Sequence, residues 1–218
     1  MEFSLAKPAY HMCSAEDRMF YDAIPGCVIR IDLQDCCRYL LTPGNNTLES
    51  WRQTIPRPDV CILAALHGHV DCLQRAHKIG IPWDWRTTQA AARGGSIECL
   101  RYARENGCPW DVSTFSNAAY IGHYRILKYA LRNACPWNEV TCAAAVAGGH
   151  LNCLKFLHRK GCPWDAYTCC AAAENGHYRC LKYAHQNGCE WKINTTSIAI
   201  FNGHMKCYRY AVDNGCDL

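Results

Sequence analysis

The stretch GCPWDAYTCCAAAENGHYRCLKYAHQNG, Gly161–Gly188, decides the fold, because it returns in altered form at a fixed step. Tryptophan and glycine recur at this constant interval along most of the chain, with no inserted or deleted residue between copies. The two columns are Trp83, Trp110, Trp137, Trp164 and Trp191, and Gly68, Gly95, Gly122, Gly149, Gly176 and Gly203. The step is about 27 residues, inside the range of about 20–50 residues that is typical of a repeat array. The sequence therefore predicts an all-α helical-repeat protein.

One repeat unit is predicted to hold two helices. Thr168–Asn175 is short, rich in alanine and free of proline, which favours a helix of about two turns. Gly176 can take a positive φ and end that helix. His177 opens a second, longer helix with an apolar face, and Gly188 ends it. Helices this short are marginal in water on their own, so stacking of neighbouring units must supply the stability.

The stretch GHLNCLKFL, Gly149–Leu157, followed by Gly161, resembles the second half of an ankyrin repeat. The stretch 168–176 is similar to the first helix of that family, although the family's Pro-Leu-His is absent. The unit is also six residues shorter than the usual 33, so we expect tight connections held by tryptophan instead of β-hairpins. Short Cys- and Trp-rich repeats of this kind resemble ankyrin-like arrays of giant DNA viruses, which implies a viral protein.

The resemblance covers residues 59–218 and implies an ankyrin-like solenoid of about six helix-turn-helix units. The predicted units are 59–85, 86–112, 113–139, 140–166, 167–193 and 194–218. Residues 1–58 lie outside it. There, residues 30–44 copy the second-helix pattern around Cys36 and Cys37, which favours a degenerate repeat that caps the array. The alternative is an F-box-like adaptor module that recruits a ubiquitin ligase.

Composition limits the partners that the sequence predicts. The net charge is +4, and the array holds 17 basic and 12 acidic residues, a surplus too mild to demand nucleic acid. The first twelve residues lack the apolar core of a secretory signal, and no run has the length of a membrane span. We therefore expect a monomer in the cytoplasm or nucleus, with no membrane or nucleic-acid partner.

Ten of the 18 cysteines fall in two columns of the repeat. One column places cysteine inside the second helix, where Ile126 replaces it in one unit, and the other places it after a glycine, where Ile81 replaces it. Replacement by isoleucine indicates small apolar filler. Cysteines of one column are expected roughly 10 Å apart, beyond the limit of about 7 Å between Cα atoms in a disulfide. The sequence predicts reduced structural cysteines, without metal or cofactor.

Two further columns invite a functional interpretation. Histidine follows the glycine in five units, but Ser96 takes that place in one, and serine caps helices well and binds metal poorly. The column is therefore interpreted as helix capping. A basic column runs through Lys128, Lys155 and Lys182, and Arg125, Arg179 and Lys206 lie one turn before it. It is interpreted as a solvated outer face, because acidic Asp71 and Glu98 hold the positions that match this second set at one end. His11 and Cys13 are the non-periodic candidates for a nucleophile pair, and no catalytic constellation is predicted.

The first helices and the connections before them vary most between units, and this predicts a partner-binding surface. Ankyrin-like arrays use this concave side, by resemblance. Aromatic and arginine side chains are enriched among the energetically dominant residues of interfaces. The candidate residues are Trp85, Arg86, Gln89, Ser113, Ser116, Tyr120, Tyr167, Glu174 and Phe201. We expect a non-catalytic scaffold that binds an unidentified protein, with a host-cell protein as one candidate, although Tyr120 and Phe201 could instead pack between repeats.

Overall fold

The structure is a computed structural model that describes residues 60–216. Within those residues the chain forms twelve α-helices and no strand, which confirms the all-α prediction. The helices are α1 Val60–Leu66, α2 Val70–Lys78, α3 Trp85–Gly94, α4 Ile97–Glu105, α5 Val112–Ile121, α6 Tyr124–Arg132, α7 Glu139–Ala147, α8 Leu151–Arg159, α9 Ala166–Glu174, α10 Tyr178–Gln186, α11 Thr195–Phe201 and α12 Met205–Asp213. None of these helices is long and apolar enough to cross a bilayer.

The chain divides into two compact units, Met1–Trp110 and Asp111–Leu218, called unit 1 and unit 2 below. Each predicted repeat contributes an odd-numbered first helix and an even-numbered second helix. In unit 1, α1 contacts α3 and α2 contacts α4. In unit 2, α5, α7, α9 and α11 contact one another in order, and so do α6, α8, α10 and α12. Each unit is therefore a two-layered stack of helix pairs.

The first helices begin at a side-chain cap that the sequence prediction missed. Asp165 precedes α9 and accepts a hydrogen bond from the backbone N–H of Tyr167, and Asp84 and Asp111 cap α3 and α5 in the same way. The cap starts α9 two residues earlier than the predicted Thr168. Both helices of this repeat consequently have nine residues, so the prediction of a longer second helix is wrong.

The histidine column does not cap the second helices, so that prediction is wrong. His150, His177 and His204 occupy the residue before their helices but make no side-chain hydrogen bond to the helix N terminus, whereas Ser96 accepts one from Cys99. The histidine rings lie against the preceding repeat instead. A Cβ built on Gly149, which has a φ of +75°, would fall 2.6 Å from the ring of His177. Because the imidazole is larger than a hydroxyl, it reaches across to the neighbouring repeat.

The core is built from repeating leucine, alanine and cysteine positions. One leucine of each second helix from α2 to α10 is fully buried, namely Leu73, Leu100, Leu127, Leu154 and Leu181. All 14 described cysteines are buried, and none of them is in a disulfide. Burial raises the pKa of Cys153, Cys180 and Cys207 to about 11, so these thiols stay protonated at neutral pH. The prediction that these cysteines are buried is confirmed, and their reduced state stays a prediction.

The cysteines after the second helices also donate a hydrogen bond, which a purely apolar side chain at the same position could not do. The Cys189 thiol donates to the carbonyl oxygen of Asp165 at 3.1 Å, and Cys162 donates to that of Asn138 at 3.3 Å. Each acceptor is the residue before the first helix of the same helix pair. The thiol thereby satisfies a carbonyl to which Ile81, which takes this place in the first repeat, offers no side-chain donor.

The tryptophans lie in the connections between helix pairs, and their side chains are partly buried. Trp164 stacks on His158 with ring centroids 4.0 Å apart, and the His158 Nδ1 is 3.0 Å from the hydroxyl of Tyr183 in the next repeat. The same arrangement recurs at His77, Trp83 and Tyr102 and at His185, Trp191 and Tyr210.

Several predictions lie outside the described residues. They are the cap or adaptor in residues 1–58, its helix within residues 30–44, and the pair His11 and Cys13. The division into residues 1–58 and 59–218 stays a prediction as well.

Candidate protein-binding surface

The candidate residues of unit 2 share one face of the first helices. Ser113, Ser116 and Tyr120 are spaced i, i+3 and i+7 in α5, and this spacing places three side chains on one side of a helix. Glu174 and Phe201 fall in the column of Tyr120, at the equivalent position of later repeats. Because α5, α7, α9 and α11 pack in order, these positions form one surface, called the first-helix face below.

The first-helix face exposes large aromatic side chains. Phe201 is 89 % exposed, and Tyr120 and Tyr167 are each 49 % exposed. The alternative that Tyr120 and Phe201 pack between repeats is therefore wrong. Glu174 is exposed at the end of α9. The ammonium group of Lys192 lies 5.2 Å from the centre of the Tyr167 ring and covers part of one face of it.

The two serines of this face are engaged within the fold. Ser113 donates its hydroxyl proton to the capping carboxylate of Asp111, and the Ser116 hydroxyl lies 3.4 Å from that of Thr141. Both serines are half-buried. They therefore shape the helix start and the contact between α5 and α7, and the aromatic residues offer more accessible area to a partner.

Unit 1 carries the remaining candidates on α3. Trp85 is 42 % exposed, Arg86 is exposed and Gln89 is half-buried. The Arg86 guanidinium forms an ion pair with Asp84 at 2.9 Å, and its hydrogen bonds lower the pKa of that carboxyl. A partner that engages Arg86 must therefore compete with Asp84 or contact both.

Two exposed apolar residues near the candidates were missed by the sequence analysis. Val140 is 52 % exposed in α7, in the column of Ser113 and Tyr167. Ile193 is 90 % exposed in the connection before α11. A comparison of the residues at this position in every repeat could have identified Val140 as exposed. The column of Ile193 also holds Trp85 and charged Glu139, and these residues could have signalled its exposure.

The described residues hold many histidine and cysteine side chains, which are common ligands of structural metal ions. Among them, no group of three His, Cys, Asp or Glu side chains is placed to hold a metal ion. Burial, aided by the negative charge of Asp84, raises the pKa of the Cys108 thiol to about 12, the reverse of what a nucleophile requires.

Comparisons with known proteins agree with this architecture. No family model matches the sequence, and no curated protein matches it. Among solved structures, the human ASB11 ankyrin repeat domain is similar, with a TM-score of 0.60 over 74 % of this chain and 85 % of that one, at 17 % sequence identity. At this identity the similarity concerns the fold. The helix pairs and this neighbour together define an ankyrin-like helical-repeat protein.

Proposed function

We propose that the chain is a non-catalytic scaffold that binds a partner protein through the first-helix face. The observation that carries the proposal is the exposure of Tyr120, Tyr167 and Phe201 on the first helices of unit 2. Folding alone favours burial of side chains of this size, each of which can bury about 150–250 Å². Aligned exposed aromatics therefore mark a surface that a partner covers.

The chemistry of the face indicates the kind of partner. The first helices α5, α7, α9 and α11 contain no lysine or arginine, and they hold Glu139 and Glu174. A partner with an apolar centre and a basic rim complements this pattern. Trp85, Arg86 and Gln89 in unit 1 provide further contacts. The proposal also includes a viral source, a monomeric state, a reducing compartment and a host-cell partner.

Site-specific photo-crosslinking tests the proposal. A photoreactive phenylalanine replaces Tyr120, Tyr167 or Phe201 in separate variants, and Tyr124, which is 38 % exposed on second helix α6, is the matched control. We expect one protein adduct shared by the three first-helix positions and absent from position 124. Adducts from position 124 alone would overturn the proposal.

Truncation then measures the contribution of the aromatics. Tyr120→Ala plus Phe201→Ala is expected to weaken binding of the crosslinked partner by about 1000-fold, since aromatic hot spots contribute about 2 kcal/mol or more each and about 1.4 kcal/mol is tenfold in Kd. Circular dichroism checks that the fold is intact. Unchanged affinity in the folded double variant would contradict the proposal.

The alternative function, recruitment of a ubiquitin ligase, depends on residues 1–58 and stays a prediction. Ligase subunits that co-purify with the full chain but not with a chain lacking residues 1–58 would support it.

A further inference from the structure

Charge is segregated between the two helix layers of unit 2. The second helices α6, α8, α10 and α12 contain nine basic residues and one carboxylate, Asp213. The first helices of the same unit contain no basic residue. The nine basic residues, called the basic face below, are Arg125, Lys128, Arg132, Lys155, Arg159, Arg179, Lys182, Lys206 and Arg209.

These charges are accessible and uncompensated. Eight of the nine side chains are exposed, and Lys155 is half-buried. Within residues 60–216, none of the nine forms an ion pair. The Lys128 and Lys155 ammonium groups lie over the rings of Tyr124 and Tyr183, at 4.7 and 5.4 Å from the ring centres. Such contacts hold the chains without removing their charge.

The basic face forms a grid with two regular spacings. Arg125, Lys128 and Arg132 are spaced three and four residues apart on one side of α6. At a rise of about 1.5 Å per residue, Arg125 and Arg132 are roughly 10 Å apart along the helix. Packed helices are about 8–10 Å apart, so the row from Lys128 to Arg209 extends over roughly 30 Å.

We propose that the basic face binds the phosphate backbone of double-stranded nucleic acid without reading its sequence. Phosphates flank a major groove about 12 Å wide, a separation that rows of cations about 10 Å apart can follow. Lysine and arginine neutralise phosphates and release condensed counterions, which drives binding that is independent of sequence. This surface is separate from the first-helix face and does not depend on the proposed protein partner.

The placement of the apolar residues favours a duplex over a membrane. Surface-bound helices combine cations with apolar side chains that insert into the lipid. Here the most exposed apolar side chains, Phe201 and Ile193, lie in α11 and in the connection before it. On the second helices, Met205 and Val212 are 44 % and 39 % exposed, and both belong to α12. Between the cations, Tyr124 packs edge-to-face on Phe156 and Tyr178 packs on Tyr210, at 5.2 and 5.6 Å. The Tyr124 ring is 38 % exposed, and its packing on Phe156 holds it against the protein surface.

The grid also favours a duplex over an acidic peptide. A single extended chain follows one row of cations and leaves the other rows unneutralised, whereas two strands engage both edges. The sequence-based expectation of no nucleic-acid partner used the acidic residues Asp71 and Glu98 to interrupt the basic column. Both belong to unit 1. In unit 2 their column holds Arg125, Asn152, Arg179 and Lys206 and no acidic residue, and the row from Lys128 to Arg209 is basic throughout.

The test measures fluorescence anisotropy of labelled 20-base-pair DNA and RNA duplexes of mixed sequence with the full chain. Variant K128E/K155E/K182E reverses the central row. The control K78E/R101E/K192E reverses three exposed cations elsewhere and gives the same net charge; Arg101 holds the Lys128 position in unit 1.

We expect micromolar binding at 50 mM KCl that weakens about 100-fold by 200 mM, because about four phosphate contacts give a slope near −0.9 per contact. The central-row variant should bind at least about 100-fold more weakly, with a salt slope smaller by about 2.7. The control should stay within about threefold of wild type, and Tyr120→Ala plus Phe201→Ala should bind the duplex normally.

Absence of duplex binding at 50 mM KCl, or equal losses in the two charge-reversal variants, would overturn the proposal. So would tighter binding to anionic phosphatidylserine vesicles or to poly-glutamate than to the duplexes, since these probes represent the membrane and the acidic peptide. Circular dichroism of each variant ensures that a loss is not caused by unfolding.

Discussion

Two neighbouring seams of unit 2 occupy equivalent places but differ in chemistry. Seam A, between α5–α6 and α7–α8, places Trp137 near Phe115, with ring centroids 5.5 Å apart. Seam B, between α7–α8 and α9–α10, stacks Trp164 on His158, which is hydrogen-bonded to Tyr183. In seam A, the positions of His158 and Tyr183 hold Leu131 and Phe156.

The exchange of both members of the pair has a physical reason. Removal of one partner leaves a polar atom without its hydrogen bond, whereas replacement of both by apolar groups of similar shape is nearly neutral. Histidine therefore occurs with a tyrosine of the next repeat in seam B, and leucine with phenylalanine in seam A. The repeat maintains shape at each seam and lets the polar chemistry change in pairs.

The seams also differ in how closely the first helices approach. A Cβ built on Gly148 would lie 1.9 Å from the carbonyl oxygen of Tyr120, so seam A admits no side chain there. Asn175 holds the equivalent position in seam B, where its amide donates to the Ala171 carbonyl. Close approach of α5 and α7 thus depends on a glycine that the α7–α9 contact does not need.

The largest expected effect comes from breaking this close approach. Gly148→Ala should destabilise the protein by about 3 kcal/mol, because the new methyl group meets backbone atoms and the helices must separate. Asn175→Ala is the matched change in seam B and should cost about 0.5 kcal/mol for one part-buried hydrogen bond. Urea unfolding followed by circular dichroism compares the two. Equal costs would show that the seams have the same spacing.

Removal of the tryptophans is expected to have the next largest effect. Trp164→Ala should cost about 3 kcal/mol, the lower end for a large aromatic residue because the indole is half-buried. Trp137→Ala should cost about 1 kcal/mol less, since it breaks no stack with histidine and no contact with a hydrogen-bonded pair. Thermal melts of both variants check the order. A larger loss for Trp137→Ala would reverse our ranking of the seams.

The hydrogen-bonded pair of seam B can be converted into the apolar pair of seam A. Tyr183→Phe and His158→Leu should each cost about 1 kcal/mol, because each leaves one partner unmatched. The double variant should cost clearly less than the sum of the two. A double-mutant cycle from urea unfolding measures this coupling. Additive losses would mean that the 3.0 Å contact contributes no coupling energy.

Raising the pH from 9 to 11 tests the buried cysteine column that both seams share. The pKa of Cys153, Cys180 and Cys207 rises from 9.0 to about 11 on burial. Because the unfolded thiols ionise first, stability should be constant below about pH 9 and fall as the pH rises from 9 to 11.

The control for this pH effect is C153A/C180A/C207A. It should start from a lower stability and show a flatter decline over the same range, measured by urea unfolding at each pH. An unchanged slope would assign the alkaline loss to other groups.

The periodicity of the sequence by itself determined the all-α repeat fold, the positions of both helices and the burial of leucine and cysteine. These follow from local spacing: a fixed step between repeats, an apolar period that matches the helical turn, and glycines with positive φ between the helices. The exposure-prone first-helix positions were also found from their variation. Each of these conclusions follows from comparing the residues at one equivalent position across all repeats.

Only the tertiary structure decided how columns of different repeats meet. It placed the histidine rings against glycines of the preceding repeat, left the tryptophans partly buried in the connections and paired His158 with Tyr183 across a seam. It also collected the cations of unit 2 on one layer and assigned Asp71 and Glu98 to the other unit. Local spacing does not encode these results, because each depends on the distance between side chains that belong to different repeats.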